Sequence, residues 1–277
     1  MKMVENIIQV KDYVTKSNLP ASDFVINPYV GCPHACKYCY ACFMKRFTGH
    51  KDPWGAFIDI KVCDIAINSK KLAGKSVFMA SVTDCYNIYE EQYGITRKIL
   101  EQLVLINCNL AISTKSKLIL RDINLLKQCG KLKVAISLNT LDENFKNDMD
   151  KASSVEDRLS TLKELHLNGI YTVLFISPIF PELTNYKALL EQTHGYVDEY
   201  WFENLNLRGN YKQTILSYIQ ENYSELYPLY EEIYIKGNSS YWLELGLQIE
   251  SYCRKHNIAY INYFFHKDLV KAKLKRG

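Results

Sequence analysis

Val30-Gly31-Cys32-Pro33-His34-Ala35-Cys36-Lys37-Tyr38-Cys39-Tyr40 places three cysteines within eight residues, with an aromatic directly before the last. Steps of four and three residues bring three thiolates around one loop, close enough to share one inorganic centre. Thiolate sulfur is a soft ligand, so zinc and iron–sulfur clusters are the natural occupants. A structural zinc needs four closed ligands, usually as two pairs apart in sequence. No second pair follows, because Cys63, Cys85, Cys108, Cys129 and Cys253 stand singly. Three ligands without a fourth suggest a four-iron cluster with one iron left open to a small molecule. Three alternatives stay open. The spacing could be chance among packed thiols, or a zinc site could be completed by His34 or His50. Cys36, Cys39 and Cys42 also read as Cys-x-x-Cys-x-x-Cys, the start of a ferredoxin loop, which would make the protein an electron carrier. Against that, Phe43-Met44-Lys45-Arg46 follows where a ferredoxin loop runs to Cys-Pro, so Cys42 reads as a packing residue just past the loop.

Cys-x-x-x-Cys-x-aromatic-Cys resembles the signature of the radical S-adenosylmethionine (SAM) enzymes. That resemblance implies a [4Fe-4S] cluster on Cys32, Cys36 and Cys39, with SAM chelated at the open iron. It also implies reductive cleavage of SAM to a 5'-deoxyadenosyl radical that abstracts hydrogen from a substrate the sequence does not name. The electron would come from a reductant such as a flavodoxin or ferredoxin, since cluster potentials reach roughly −700 mV at the low end. The rival from another class is an iron–sulfur electron-transfer protein or a zinc-stabilised binding protein without SAM chemistry.

Outward from the loop, 277 residues suffice for one large domain, and 48% hydrophobic content supports a packed core. A net charge of +4 permits an anionic partner without demanding one, so nucleic acid stays undecided. Nine cysteines in no regular framework, behind a start without a signal-like apolar run, indicate a reducing cytoplasm. The longest apolar stretch, residues 169–180, is too short to span a bilayer, so no membrane is expected.

Residues 1–21 read as a polar N-terminal extension packed on the outside, and residues 45–55 as a cationic surface loop with Trp54 tucked down. From there strand-like and helix-like segments alternate. Residues 57–62 alternate like an exposed strand, residues 76–81 like a buried one, and 90–106 carry a helical apolar stripe. Strands at 109–113, 134–138, 171–176 and 200–205 are separated by helices at 122–128, 154–167 and 186–193. Such alternation means βαβ units on a parallel sheet. About six units fit within residues 22–210, which resembles the open partial (β/α)6 TIM barrel of the radical SAM family. Residues 211–277 form a helical, tyrosine-rich region expected to pack on that barrel, with Tyr218, Tyr223, Tyr227, Tyr230 and Tyr234 serving as packing or stacking on a nucleobase. The tail from His266 to Arg276 is basic and reads as a solvated end.

In parallel α/β folds, functional groups gather at the C-terminal strand ends. Those ends are Ser81-Val82-Thr83-Asp84-Cys85-Tyr86, Ser113-Thr114-Lys115-Ser116, Ser137-Leu138-Asn139, Ser177-Pro178 and Glu203-Asn204-Leu205-Asn206. A zwitterionic, ribose-bearing cofactor needs a cation for its carboxylate, acceptors for its ammonium, and hydroxyls or carboxamides for its sugar. Lys115 is the only cation right at a strand end; Thr83, Asp84, Ser137 and Asn139 supply the rest, although capping explains the hydroxyls nearly as well. These ends, with Arg121-Asp122, look like the spore photoproduct lyase-related branch of the family. By that resemblance Tyr38 and Tyr40 flank the cluster while Lys115 and Ser137 contact SAM.

Closer still, residues 27–32 and 43–50 resemble the radical SAM mobile pair B family, whose members are encoded beside a second radical SAM protein; this implies a partner. Two departures from the branch matter. Cys85 stands where many relatives have Pro, and is either a displaced hydrogen-atom donor beside Tyr86 or a packing residue. Lys151-Ala152-Ser153-Ser154 replaces Glu-Pro-Gly-like residues, so the lyase's own substrate is not carried over. Gly74-Lys75-Ser76 lacks the first glycine of a phosphate loop, since position 69 is Ser.

Overall fold

The alternation of β-branched and amphipathic segments from residue 24 onward builds one large sheet. The protein is seen in a computed structural model that describes residues 3–265, 270 and 271. The basic tail therefore lies almost wholly outside the described residues.

The chain opens with β1 (Val4–Gln9), β2 (Val14–Lys16), β3 (Phe24–Ile26) and β4 (Tyr29–Gly31). The cysteine loop leads into a 3-10 helix, Tyr40–Phe47, and then β5 (Phe57–Val62). Next come α1 (Ser69–Leu72), β6 (Ser76–Met79), α2 (Tyr89–Tyr93), α3 (Ile95–Leu103) and β7 (Asn109–Thr114). After a 3-10 turn (Lys117–Asp122) follow α4 (Ile123–Leu126), β8 (Lys131–Ser137), α5 (Glu143–Met149), α6 (Val155–Leu167) and β9 (Tyr171–Ile179). The chain continues through α7 (Tyr186–Thr193), β10 (Glu199–Asn204), α8 (Asn210–Asn222), α9 (Tyr227–Tyr234), α10 (Ser240–Lys255) and β11 (Tyr260–Asn262).

The eight-stranded sheet runs β11-β10-β9-β8-β7-β6-β3-β2. Every neighbouring pair is parallel except β2 with β3. Its six consecutive parallel strands from β3 to β10 match the six units that the periodicity predicts and the partial (β/α)6 barrel that the resemblance implies. Among the described residues the sheet is open at both edges, which leaves room inside for ligands. Among the described residues no helix is long and apolar enough to cross a membrane.

Long-range pairing overrode local pattern in several places. The residues taken as an outer extension form strands: β1 pairs in parallel with β5, and β2 adds to the main sheet. The 57–62 strand is not exposed. It lies between β1 and β4 in a three-stranded sheet, and Phe57 to Ile60 are buried. Asp59, the polar residue that gave the alternation, is buried too, accepting hydrogen bonds from Asn6 (3.3 Å) and pairing with His50 Nε2 (2.7 Å). The 90–106 helix breaks at Gly94, whose left-handed φ of 59° ends α2 and starts α3. The 122–128 helix is a 3-10 turn followed by only α4. Finally, β11 gives the helical C-terminal region a seventh parallel strand, paired with β10.

The tyrosine stripe packs. Tyr230 is fully buried and donates to Pro181 O (3.1 Å), and Tyr234 donates to Leu205 O (2.9 Å). Tyr218 and Tyr223 tilt against Phe145, while Tyr218 donates to Asp148 (2.7 Å). This cluster continues through Phe180 to Tyr38, so the C-terminal helices brace the cysteine loop.

Candidate active site

The cysteine loop leaves β4 at Gly31, and only glycine serves there. Its φ is +86°, and a Cβ would fall 2.3 Å from the carbonyl oxygen of Phe57. Two short turns shape the loop, Ala35 N to Cys32 O (3.3 Å) and Cys39 N to Cys36 O (3.1 Å). The segment after α5 holds it from the other side: Lys37 N donates to Met149 O (2.9 Å) and Lys151 N to His34 O (2.8 Å).

Cys32, Cys36 and Cys39 all line one cavity of about 2130 Å³. Burial pushes each of the three thiols above its ordinary value, and the charge of a neighbouring cysteine pushes each further. Such clustered thiols resist ionising until a cation compensates them, which suits a metal centre. Among the described residues no three His, Cys, Asp or Glu side chains converge closely enough for one metal ion. Three soft thiolate donors around one cavity have the chemistry to hold an iron–sulfur cluster. Cys42 also lines the cavity, from the 3-10 helix, and its thiol is raised by burial alone.

Lys115 projects from the end of β7 into the same cavity. Its ammonium donates to Ser137 Oγ (2.5 Å) and stands 5.9 Å above the Tyr38 ring. Ser137 Oγ in turn donates a hydrogen bond to Ser177 O (3.1 Å). Tyr38 donates to Asp150 (3.1 Å), and Tyr40 donates to the carbonyl of Ser81. Thr83 lines the cavity, with its hydroxyl donating to Gly31 O (2.7 Å) at the root of the loop.

Other expected cofactor contacts are spoken for. Asp84 lines the cavity, but Oδ1 accepts from Thr114 Oγ1 (2.7 Å) and Tyr86 N (2.9 Å), while Oδ2 accepts from Lys115 N (2.8 Å) and faces His34 Nδ1 (3.3 Å). A carboxylate offers about four lone-pair directions, so Asp84 is a clamp joining loop ends rather than a free acceptor for an ammonium group. Asn139 is buried away from the cavity wall and donates to Pro178 O (2.9 Å). Cys85 and Tyr86 do not reach the cavity either: both are fully buried in the main core. The structure thus brings neither of this pair to the lumen, and for Cys85 the burial agrees with the packing alternative.

Two features of the site escaped the sequence reading. Asp150 and Arg158 form a buried pair (2.5 Å), each side chain 1% exposed, directly behind Tyr38. Burial alone would raise the Asp150 carboxyl, but Arg158 and then Lys115 outweigh it and hold it below its ordinary value. Neither residue lies in a motif; the only sequence signal was the polar character of the segment between α5 and α6. The second feature is the bond itself between two strand ends the sequence had named, Ser177 donating to Glu203 (2.6 Å), which ties the adjacent strands β9 and β10. Beyond them the cavity continues past Phe175 and Trp201.

Comparison with known proteins places this geometry in context. The family model described as the Radical SAM superfamily matches residues 26–188. Uncharacterized protein MJ0683 of Methanocaldococcus jannaschii is 36% identical over 225 residues, 80% of this chain and 85% of that protein. Spore photoproduct lyase complexed with dinucleoside spore photoproduct superposes with a TM-score of 0.55 at 18% identity, over 79% of this chain and 66% of the lyase. Streptococcus suis SuiB bound to S-adenosylmethionine gives 0.54 at 12% identity, over 94% of this chain and 50% of SuiB. The chain thus spans less than two thirds of either solved structure's length, and at these identities the likeness is one of fold.

Proposed function

The chain belongs to the radical SAM superfamily, enzymes that use a [4Fe-4S] cluster and SAM, and we propose that it cleaves SAM reductively to act on a substrate held in the barrel lumen. The observation that carries this reading is the shared cavity: Cys32, Cys36, Cys39, Lys115, Ser137 and Tyr38 all line it. When bound, cluster and SAM together supply a 5'-deoxyadenosyl radical able to abstract hydrogen from carbon. In this reading the three cysteines hold the cluster and leave one iron open. Lys115 offers its remaining ammonium protons to the SAM carboxylate, with Ser137 and the Tyr38 ring fixing where that ammonium stands. Tyr38 is itself fixed by Asp150, and through it by Arg158.

A small-molecule pocket takes about 300–1,000 Å³. A cavity of about 2130 Å³ therefore leaves room for a second molecule beside SAM. The substrate in this proposal enters that remaining space, between the strand ends of β9 and β10. A flavodoxin or ferredoxin would supply the electron, docking near the 3-10 helix whose Phe43 and Phe47 are exposed beside the loop.

The deciding experiment is anaerobic reconstitution with iron and sulfide, reduction, addition of SAM, and assay for 5'-deoxyadenosine. Wild type and Cys42→Ala should cleave SAM, while Cys39→Ala and Cys32→Ala should lose the cluster and cleavage together. No cleavage in wild type, with a cluster that depends on Cys42, would make the protein an electron carrier and void the SAM contacts.

A further inference from the structure

The turn between the 3-10 helix and β5 brings Trp54 back against the cysteine loop. Pro53 O accepts from Ala56 N (3.0 Å), closing the turn. Gly55 (φ +93°) lies so close to the loop that a Cβ there would fall 2.8 Å from Ala35 Cβ. The indole packs edge-on against Phe57 at 5.7 Å and lines the same cavity as Cys39. Its Nε1–H is buried and has no hydrogen-bond partner. Buried N–H groups are rarely left so, and each one calls for an explanation. Trp54 and Cys39 line one cavity, and the turn that carries Trp54 packs on Ala35 of the same cysteine loop. A neutral thiol is a weak acceptor, whereas an iron-bound thiolate is a charged one.

We infer that Trp54 is a redox-tuning residue whose indole N–H donates a hydrogen bond to the Cys39 sulfur once that sulfur holds the cluster. The inference rests on the reading of Cys39 as a cluster ligand. Hydrogen bonds to cluster sulfurs help to set reduction potential, and their partners orient the ligands. The reduced cluster carries one more negative charge, so the donor stabilises it more than the oxidised form. Trp54 thereby makes the cluster easier to reduce, and its ring shields that edge from water.

Trp54→Phe keeps a ring against Phe57 and removes only the donor. With iron and sulfide content equal to wild type, a redox titration followed by electron paramagnetic resonance should show the reduced-to-oxidised ratio at fixed potential falling about three- to tenfold, the upper figure equal to about 59 mV for one electron. An unchanged ratio at equal loading overturns the inference. If Trp54→Phe loads poorly, wild type labelled with 15N at its indole nitrogens decides. A 15N hyperfine coupling in the reduced cluster upholds the contact, and its absence overturns it. Cys39→Ala separates the two readings. A full cluster without Cys39 removes the ligand assignment and this inference with it. Loss of the cluster, with no shift in Trp54→Phe, removes this inference alone.

Discussion

Lys115 shows how a candidate can be named from sequence while its surroundings are set only by the fold. A cation at a strand end is legible as a candidate; that its ammonium rests between Ser137 Oγ and the Tyr38 ring is not. A hydrogen bond from a charged donor contributes about 1.5–3 kcal/mol. Lys115→Gln should therefore raise KM for SAM roughly ten- to a hundredfold while iron content stays at the wild-type level, measured by 5'-deoxyadenosine release against SAM concentration. Cys85 is the opposite case. Its position in the sequence suggested chemistry, but the thiol is fully buried and raised well above its ordinary value, first by burial and then by Asp84. Cys85→Ala should leave 5'-deoxyadenosine formation unchanged and cost about 1 kcal/mol of stability, as a modest core truncation does. A folded Cys85→Ala protein that makes 5'-deoxyadenosine but no product would return Cys85 to the reaction.

At the scale of elements, the cysteine loop depends on a helix far from it in sequence. Arg158 on α6 pairs with Asp150 just after α5, and also donates to Ser137 O (3.2 Å) and Ser153 O (2.9 Å). Breaking a buried pair by removing one partner costs about 3–5 kcal/mol, because the remaining charge is left uncompensated. Arg158→Met should lower urea stability by about that amount and reduce cluster loading, since the 149–151 backbone holds the loop. Asp150→Asn combined with Arg158→Met should recover much of the loss; a double variant no better than the single one would contradict the account. The sign with pH follows from the lowered Asp150 carboxyl. Its stabilisation is fully present above the ordinary 3.8 and is lost as pH falls through the lower folded value. Wild type should therefore lose this contribution only in strong acid, whereas Asp150→Asn lacks it at every pH.

Over the whole molecule, the C-terminal region is part of the barrel's construction. It gives β11 to the edge of β10, and Ile215, Ile219 and Tyr230 to the apolar cluster around Phe180 and Tyr38. A chain ending at residue 209 would expose both a sheet edge and that apolar face. It should elute as aggregate in size-exclusion chromatography and bind a hydrophobic dye. A monomeric truncated chain with native circular dichroism would show that residues 22–210 stand alone.

Local chemistry by itself determined the cysteine loop and the six central parallel strands of the main sheet. Cysteine spacing depends on neighbouring residues, and the alternation of strand and helix is carried by periodicity within each segment, so both are written along the chain. Tertiary structure alone decided which polar strand ends face the lumen. Thr83, Lys115 and Ser137 line it, while Asn139, Cys85 and Tyr86 are turned away and Asp84 is consumed as a clamp. The reason is physical. Buried polar groups must find partners, and those partners are set by long-range pairing that no single segment contains. The same holds for Asp150 with Arg158 and for Trp54 beside Cys39, each meeting across a turn or helix that only the fold closes.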